Sequence, residues 1–185
     1  MTGSIFPKLY ADFVARLRVP SGFLLVALFA YFSRPTWQSL AYGIPLAAFG
    51  LALRGWAAGH LAKNQRLSTS GPYAYVRNPL YGGTLLVAAG LVIASQNIGL
   101  ALLFAAVFAL VYLPAIALEE QHLRKLFPEY SDYARCVPAL VPYRPPRKSP
   151  GRFQFALYVK NQEYKALLGF LAGVAWLLWK ARWSL

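Results

Sequence analysis

The chain has 185 residues, 58% of them hydrophobic and only 14% charged, and its 19 lysines and arginines against 6 acidic residues give a formal charge of +13. That balance excludes an ordinary water-soluble domain and describes an all-α, polytopic helical membrane protein with a basic surface. The single cysteine, Cys136, excludes an intrachain disulfide and any metal centre built on paired cysteines, so no metal is expected.

Apolar stretches fall at residues 21–33, 37–58, 80–95, 98–118 and 164–179. A crossing helix needs roughly 20 apolar residues. The second and fourth stretches meet that length, the third comes close, and the first and last need flanking residues. The expectation is five transmembrane helices in one domain covering residues 1–185, the last crossing over about residues 164–182. The first stretch follows Lys8, Arg16 and Arg18, but "YFSRPTW" offers no small-residue cleavage site, so it is expected to stay in the mature protein.

With the N-terminus inside, cytoplasmic segments would hold Lys8, Arg16, Arg18, Lys63, Arg66, Arg77 and the basic residues from Arg124 to Lys165. The outside would keep only Arg34, Lys180 and Arg182, with Arg54 inside a span. The positive-inside rule therefore expects N-terminus and active site to be cytoplasmic, in a bacterial-type inner membrane, with the basic face against anionic lipid. The basic residues are scattered over loops rather than gathered on one element, which argues against a nucleic-acid partner.

The short "SQN" connection between the third and fourth stretches forces an antiparallel hairpin, returning residues near Leu80 and Leu118 to one membrane face. Two polar clusters meet there. In "SGPYAYVRNPLYGG", Ser70–Gly83, the Asn78-Pro79 pair disfavours helix at Asn78 and seats Pro79 in the first turn of the third helix. The amides of that helix start favour an anion, and Arg77 stands just before it. In "LEEQHLRKLFPEYSDY", Glu119 and Glu120 lie at the end of an apolar helix, where carboxylates are costly unless paired or wetted. Together they form a clamp for a zwitterion.

Tyr73, Tyr75 and Tyr81 add ring faces that can stack on a purine or surround a sulfonium. Each alone would fit an interfacial aromatic belt; their combination with the charges argues for a site. His60 and Asn64, spaced i and i+4, are expected to face it together. His122 is expected on solvated surface.

Taken in order, "GPY" (Gly71–Tyr73), "RNPLY" (Arg77–Tyr81), "EE" (Glu119, Glu120) and "EYSDYARCVPALVPYRP" (Glu129–Pro145) resemble the isoprenylcysteine carboxyl methyltransferase and phospholipid methyltransferase superfamily over about residues 55–146. The resemblance implies an integral membrane methyltransferase that binds S-adenosylmethionine between the membrane and a cytoplasmic cap. It implies that Tyr73, Asn78, Pro79, Leu80, Tyr81 and Glu119 line the cofactor with Leu67 and Ser68 closing over it, and that Arg77 and Glu120 sit at the reacting end. Two departures stand out: Asn78 replaces the family's usual histidine before proline, and Ala115 stands where enzymes acting on isoprenylcysteine carry an arginine. Both argue against a prenylated cysteine carboxylate as acceptor.

The expected function is methyl transfer from S-adenosylmethionine to a lipophilic or membrane-embedded acceptor bearing a carboxylate, thiol or amine. Glu120 would be the local base where a proton must leave. The rivals are an NADPH-dependent reductase of the sterol reductase type and a non-enzymatic membrane protein. The segment after Glu120 is expected to fold back as a cap, because its prolines forbid a continuous helix from Phe127 to Phe153. Arg144, Arg147 and Lys148 would hold that cap to anionic headgroups.

Overall fold

The structure is a computed structural model that describes residues 8–146 and 150–183; Arg147 and Lys148 lie outside the described residues. Among those residues every regular element is helical: α1 (Lys8–Phe32), α2 (Trp37–Ala58), α3 (Pro79–Ser95), α4 (Ile98–Leu126), and the shorter α5 (Tyr130–Cys136) and α6 (Phe155–Lys160) before α7 (Tyr164–Trp183). Two of them, α2 and α4, are long and apolar enough to cross a membrane, and the stretches 20–32 and 79–95 form shorter apolar helices. Of the five crossings expected from the sequence, two meet the length and composition of a membrane span among the described residues.

Small residues let α2 and α3 pack backbone to backbone. Gly43, Ala47 and Gly50 on α2 face Gly83, Gly90 and Ala94 on α3. A Cβ built on Gly50 would stand 2.6 Å from the Val87 nitrogen, and one on Gly90 2.5 Å from the Ala47 nitrogen. Small-residue seams of this kind hold helices together where lipid is as apolar as the side chains and hydrophobicity favours neither. At the far end of the seam, Thr36 and Ser39 cap the start of α2 reciprocally, and the Ser39 hydroxyl also donates to the Ala94 carbonyl at 3.0 Å.

The turn into α4 is as tight as the "SQN" connection requires. Gln96 takes a left-handed conformation (φ 51°), and the Asn97 side chain accepts from the Gly99 and Leu100 amides to cap the new helix. Midway along, α4 widens into one π-helical turn, Phe108–Tyr112, closed by Leu113 N–H donating to the Phe108 carbonyl. Pro114 explains the break. It has no N–H for the Leu110 carbonyl, and the Tyr10 hydroxyl of α1 donates to that oxygen instead, at 2.9 Å. The extra residue rotates Tyr112 and the helix beyond it.

Helix α4 ends at Leu126 because Pro128 follows, and Phe127 is extended. After α5 the chain doubles back beside the start of α3, where Arg77 N–H donates to the Pro138 carbonyl (2.8 Å) and Asn78 N–H to that of Ala139 (3.0 Å). The C-terminal part returns to α2. Asn161 Nδ2 donates to the carbonyls of Ala58 and Leu61, both at 2.9 Å, just where α2 has ended; the Ala58 carbonyl also accepts from Leu61 N–H. Farther on, Trp176 and Lys180 of α7 donate to the last carbonyls of α1.

Candidate active site

A cavity of about 760 Å³ opens where the end of α2, the start of α3 and the middle of α4 converge under α5. Its wall contains Asn64, Leu67, Ser68, Tyr73, Arg77, Asn78, Pro79, Leu80, Tyr81 and Glu119, ten of the thirteen positions singled out from the sequence; His60, Tyr75 and Glu120 are not in it.

The start of α3 is built as the Asn-Pro pair dictates. Asn78 is non-helical (φ −122°, ψ 56°), Pro79 occupies the first turn, and no side chain caps the helix. The first intrahelical bond runs from Gly82 N–H to the Asn78 carbonyl. The Asn78 amide turns away from its own helix, donating to Glu120 Oε1 at 2.9 Å and the Ala139 carbonyl at 3.3 Å.

Arg77 and Glu120 are joined directly rather than facing each other across a gap. Arg77 Nε and Nη2 donate to Glu120 Oε1 and Oε2 at 2.9 and 3.1 Å, and Nη1 donates to the carbonyls of Ala134 (2.9 Å) and Val137 (2.7 Å). One guanidinium therefore ties α3, α4 and α5 together. Burial alone would lower its pKa, but the hydrogen bonds and charge of Glu120 outweigh it and hold the group above its ordinary value. Tyr130, buried beside this pair, has its phenol pushed up by burial and then by the Glu120 charge.

Glu119 is the carboxylate that projects into the cavity. It accepts from the Tyr81 hydroxyl at 3.0 Å, and Tyr81 meets Tyr112 edge to face across 6.3 Å. On the opposite wall, Tyr73 is carried by a 3₁₀ turn, Gly71–Ala74, and its carbonyl accepts from the Tyr133 hydroxyl at 2.7 Å. Burial, followed by the charge of Glu119, raises the pKa of its phenol and keeps it protonated. Tyr75 does not share this wall. It is 44% exposed, because two residues along a three-residue turn reverse a side chain's direction.

His60 lies behind the wall, not in it. The α2 helix ends at Ala58, so the i, i+4 relation with Asn64 does not exist. Asn64 instead adopts a left-handed conformation (φ 58°) at the cavity mouth. The His60 ring pairs with Ser70 Oγ at 3.0 Å and backs the turn carrying Tyr73. Gly71 has φ 59°, and a Cβ there would stand 2.7 Å from the ring, so the turn needs glycine on both counts. Burial, then the Arg66 charge, lowers the His60 pKa. His122, expected on the surface, is exposed and also lines the cavity rim.

Sequence reasoning passed over Arg54 and Thr84 as site residues, although both line the cavity. Arg54 is gripped by Glu163, and the signal was its presence inside an apolar span. Tyr112 was also missed; nothing in its local sequence marks it, since its direction depends on the π-helical turn.

The lining combines an acidic group, basic groups and aromatic faces. Glu119 offers a charge for an ammonium, Lys63, Arg66 and the uncapped start of α3 suit a carboxylate, and Tyr73, Tyr81 and Tyr112 present aromatic surface.

The phospholipid methyltransferase family profile matches residues 39–130. The chain is 39% identical over 102 residues to the cobalt-zinc-cadmium resistance protein CzcN of Cupriavidus metallidurans, covering 54% of this chain and 46% of that one. It is 38% identical over 136 residues to the nickel-cobalt-cadmium resistance protein NccN of Alcaligenes xylosoxydans xylosoxydans (68% and 62%). It is 31% identical over 144 residues to the protein-S-isoprenylcysteine O-methyltransferase of Schizosaccharomyces pombe (75% and 61%). The chain therefore spans about half to three fifths of the length of these relatives. No solved structure matches it.

Proposed function

Since the chain belongs to the superfamily of membrane methyltransferases that includes the phospholipid and isoprenylcysteine carboxyl methyltransferases, we propose that it transfers a methyl group from S-adenosylmethionine to a lipophilic acceptor drawn from the bilayer. The observation that carries this reading is the cavity between α3 and α4, into which Glu119 projects between Tyr81 and the aromatic walls.

The cofactor supplies a methyl carbon on a cationic sulfur, an electrophile that an anionic oxygen or sulfur attacks without prior proton removal. Glu119 holds the ammonium of the methionine moiety, and Tyr81 fixes the carboxylate's rotamer. The amides opening α3, with Lys63 and Arg66 at the mouth, take the methionine carboxylate. Asn64, Leu67 and Ser68 close the side nearest the mouth, and Tyr73 with Tyr81 surrounds the sulfonium. Arg77 and Glu120 act as positioning residues: Glu120 accepts from Arg77 at both oxygens and from Asn78 at one, and these bonds hold the ends of α3 and α4 together beside the cavity. Alignment and exclusion of water then supply most of the rate.

In this reading α1, α2, α3, α4 and α7 all cross the bilayer, with the N-terminus and the cavity mouth cytoplasmic. Helix α5, whose Tyr130 and Tyr133 line the cavity, covers it on the side of an anionic lipid surface. The test is a binding comparison on purified protein. S-adenosylhomocysteine should raise the unfolding temperature and NADPH should not; stabilisation by NADPH alone would replace this reading with a reductase. Mass spectrometry of a lipid extract incubated with the protein and methyl-labelled donor identifies the acceptor.

A further inference from the structure

Arg54 is the only charged residue of α2 and sits four residues before the helix end, roughly 6 Å below it at helical rise. Thr84 is five residues into α3, at similar depth. An ionised side chain held there is costly and calls for a reason beyond topology. Glu163, only 7% exposed, accepts from Arg54 Nε and Nη2 at 2.5 and 3.0 Å. Arg54 Nη1 donates to Thr84 Oγ1, with the Leu80 carbonyl 3.5 Å away, and the Thr84 hydroxyl itself donates to that carbonyl at 2.9 Å. Glu163 stands outside the cavity wall, whereas Arg54 and Thr84 line it near Leu80, Tyr81, Tyr112 and Ala115. The carboxylate behind thus fixes the guanidinium plane. Among the described residues these contacts leave one Nη2 N–H for a guest in the cavity. Glu163 also lies beyond residues 39–130, so this grip is made from outside the part that matches the family.

We infer that Arg54, seated on Thr84, forms the acceptor-reading end of the cavity. Arg54 takes an anionic oxygen of the acceptor headgroup, carboxylate or phosphate; Thr84 and Glu163 are the positioning residues that orient its guanidinium. A bare ammonium has no acceptor to offer this donor and meets a fixed positive face. The inference rests on the methyl-transfer reading above and adds the class of acceptor.

The test uses the full chain in lipid nanodiscs with three amphiphiles of one tail, ending in a carboxylate, a phosphoethanolamine or a plain primary amine. Use of the first or second, and not the third, is expected, and the choice between them tells a free acid from a lipid headgroup. Arg54→Gln should lower kcat/KM on the preferred amphiphile roughly 10- to 100-fold, the weight of a charge-assisted hydrogen bond, with S-adenosylhomocysteine affinity held within about twofold. The double variant Arg54→Gln/Glu163→Gln, which leaves no bare carboxylate, should show the same loss while staying folded. Glu163→Gln should lower kcat without raising KM, and Glu163→Asp should recover part of it; a merely structural role would lower kcat, cofactor affinity and melting temperature together. Preference for the plain amine, or parental kinetics in the double variant, overturns the Arg54 assignment while methyl transfer stands. A parent that binds no S-adenosylhomocysteine overturns both.

Discussion

Replacing Arg77 with methionine tests whether this residue is a girder or only a topological charge. Its guanidinium makes two hydrogen bonds to Glu120 and two to the carbonyls of Ala134 and Val137, and the Arg77 and Glu120 side chains are each 14% exposed, so water reaches these contacts only from the cavity side. After the substitution Glu120 keeps only the Asn78 amide, and two carbonyls lose their donor. Removing one member of a buried pair costs about 3–5 kcal/mol. For a chain of this size that is a fall of about 6–20 °C in melting temperature. Glu120→Gln should cost less, about 1.5–3 kcal/mol, because Arg77 keeps both carbonyls. Arg77→Lys should fall between them and below parental turnover, since an ammonium cannot fork to two oxygens while serving two carbonyls. Tryptophan fluorescence during thermal unfolding in detergent measures all three. A methionine variant within 2 °C of the parent, or a glutamine variant that is the less stable of the two, would refute the girder.

Glu119→Gln should weaken S-adenosylhomocysteine binding by about 1.5–3 kcal/mol, read by isothermal titration, because the ammonium loses its charged partner. Gly90→Ala should destabilise by about 1–3 kcal/mol, since its Cβ meets Ala47 and Gly43 backbone that cannot yield; SDS titration would show it. His60 has a folded pKa below its ordinary value of 6.5. The unfolded chain therefore takes the proton first, so the His60 contribution is complete above about pH 6.5 and is lost as pH falls from there through the folded pKa. His60→Gln should flatten that part of the stability profile, and an unchanged slope between parent and variant would remove His60 as its source.

The helical membrane class, the α3–α4 hairpin and the start of α3 at Pro79 were legible in the sequence because each rests on local chemistry. Apolar length, a three-residue connection and a proline act on their own neighbours whatever the rest of the chain does. The meeting of the Arg77 and Glu120 regions followed from the hairpin alone. What that meeting looks like did not, because the pattern of charges gives proximity and not hydrogen-bond partners: a clamp for a ligand and a closed ion pair have the same sequence. The expected pairing of His60 with Asn64 failed for a related reason, since α2 stops at Ala58 and the loop beyond it has no helical period to share.

Other features were set only by the tertiary structure. Arg54 and Glu163 are 109 residues apart, and nothing local to either announces the other; they meet because the C-terminal segment docks on the carbonyls of Ala58 and Leu61 at the end of α2. Tyr112 enters the cavity because Pro114 breaks the ladder and Tyr10 of another helix satisfies the freed carbonyl. The sequence by itself determined which segments are helical and which residue types gather at their ends, since those follow from backbone hydrogen bonding and apolar length. Only packing decided which charges neutralise one another and which remain facing the cavity, because that depends on where distant segments come to rest.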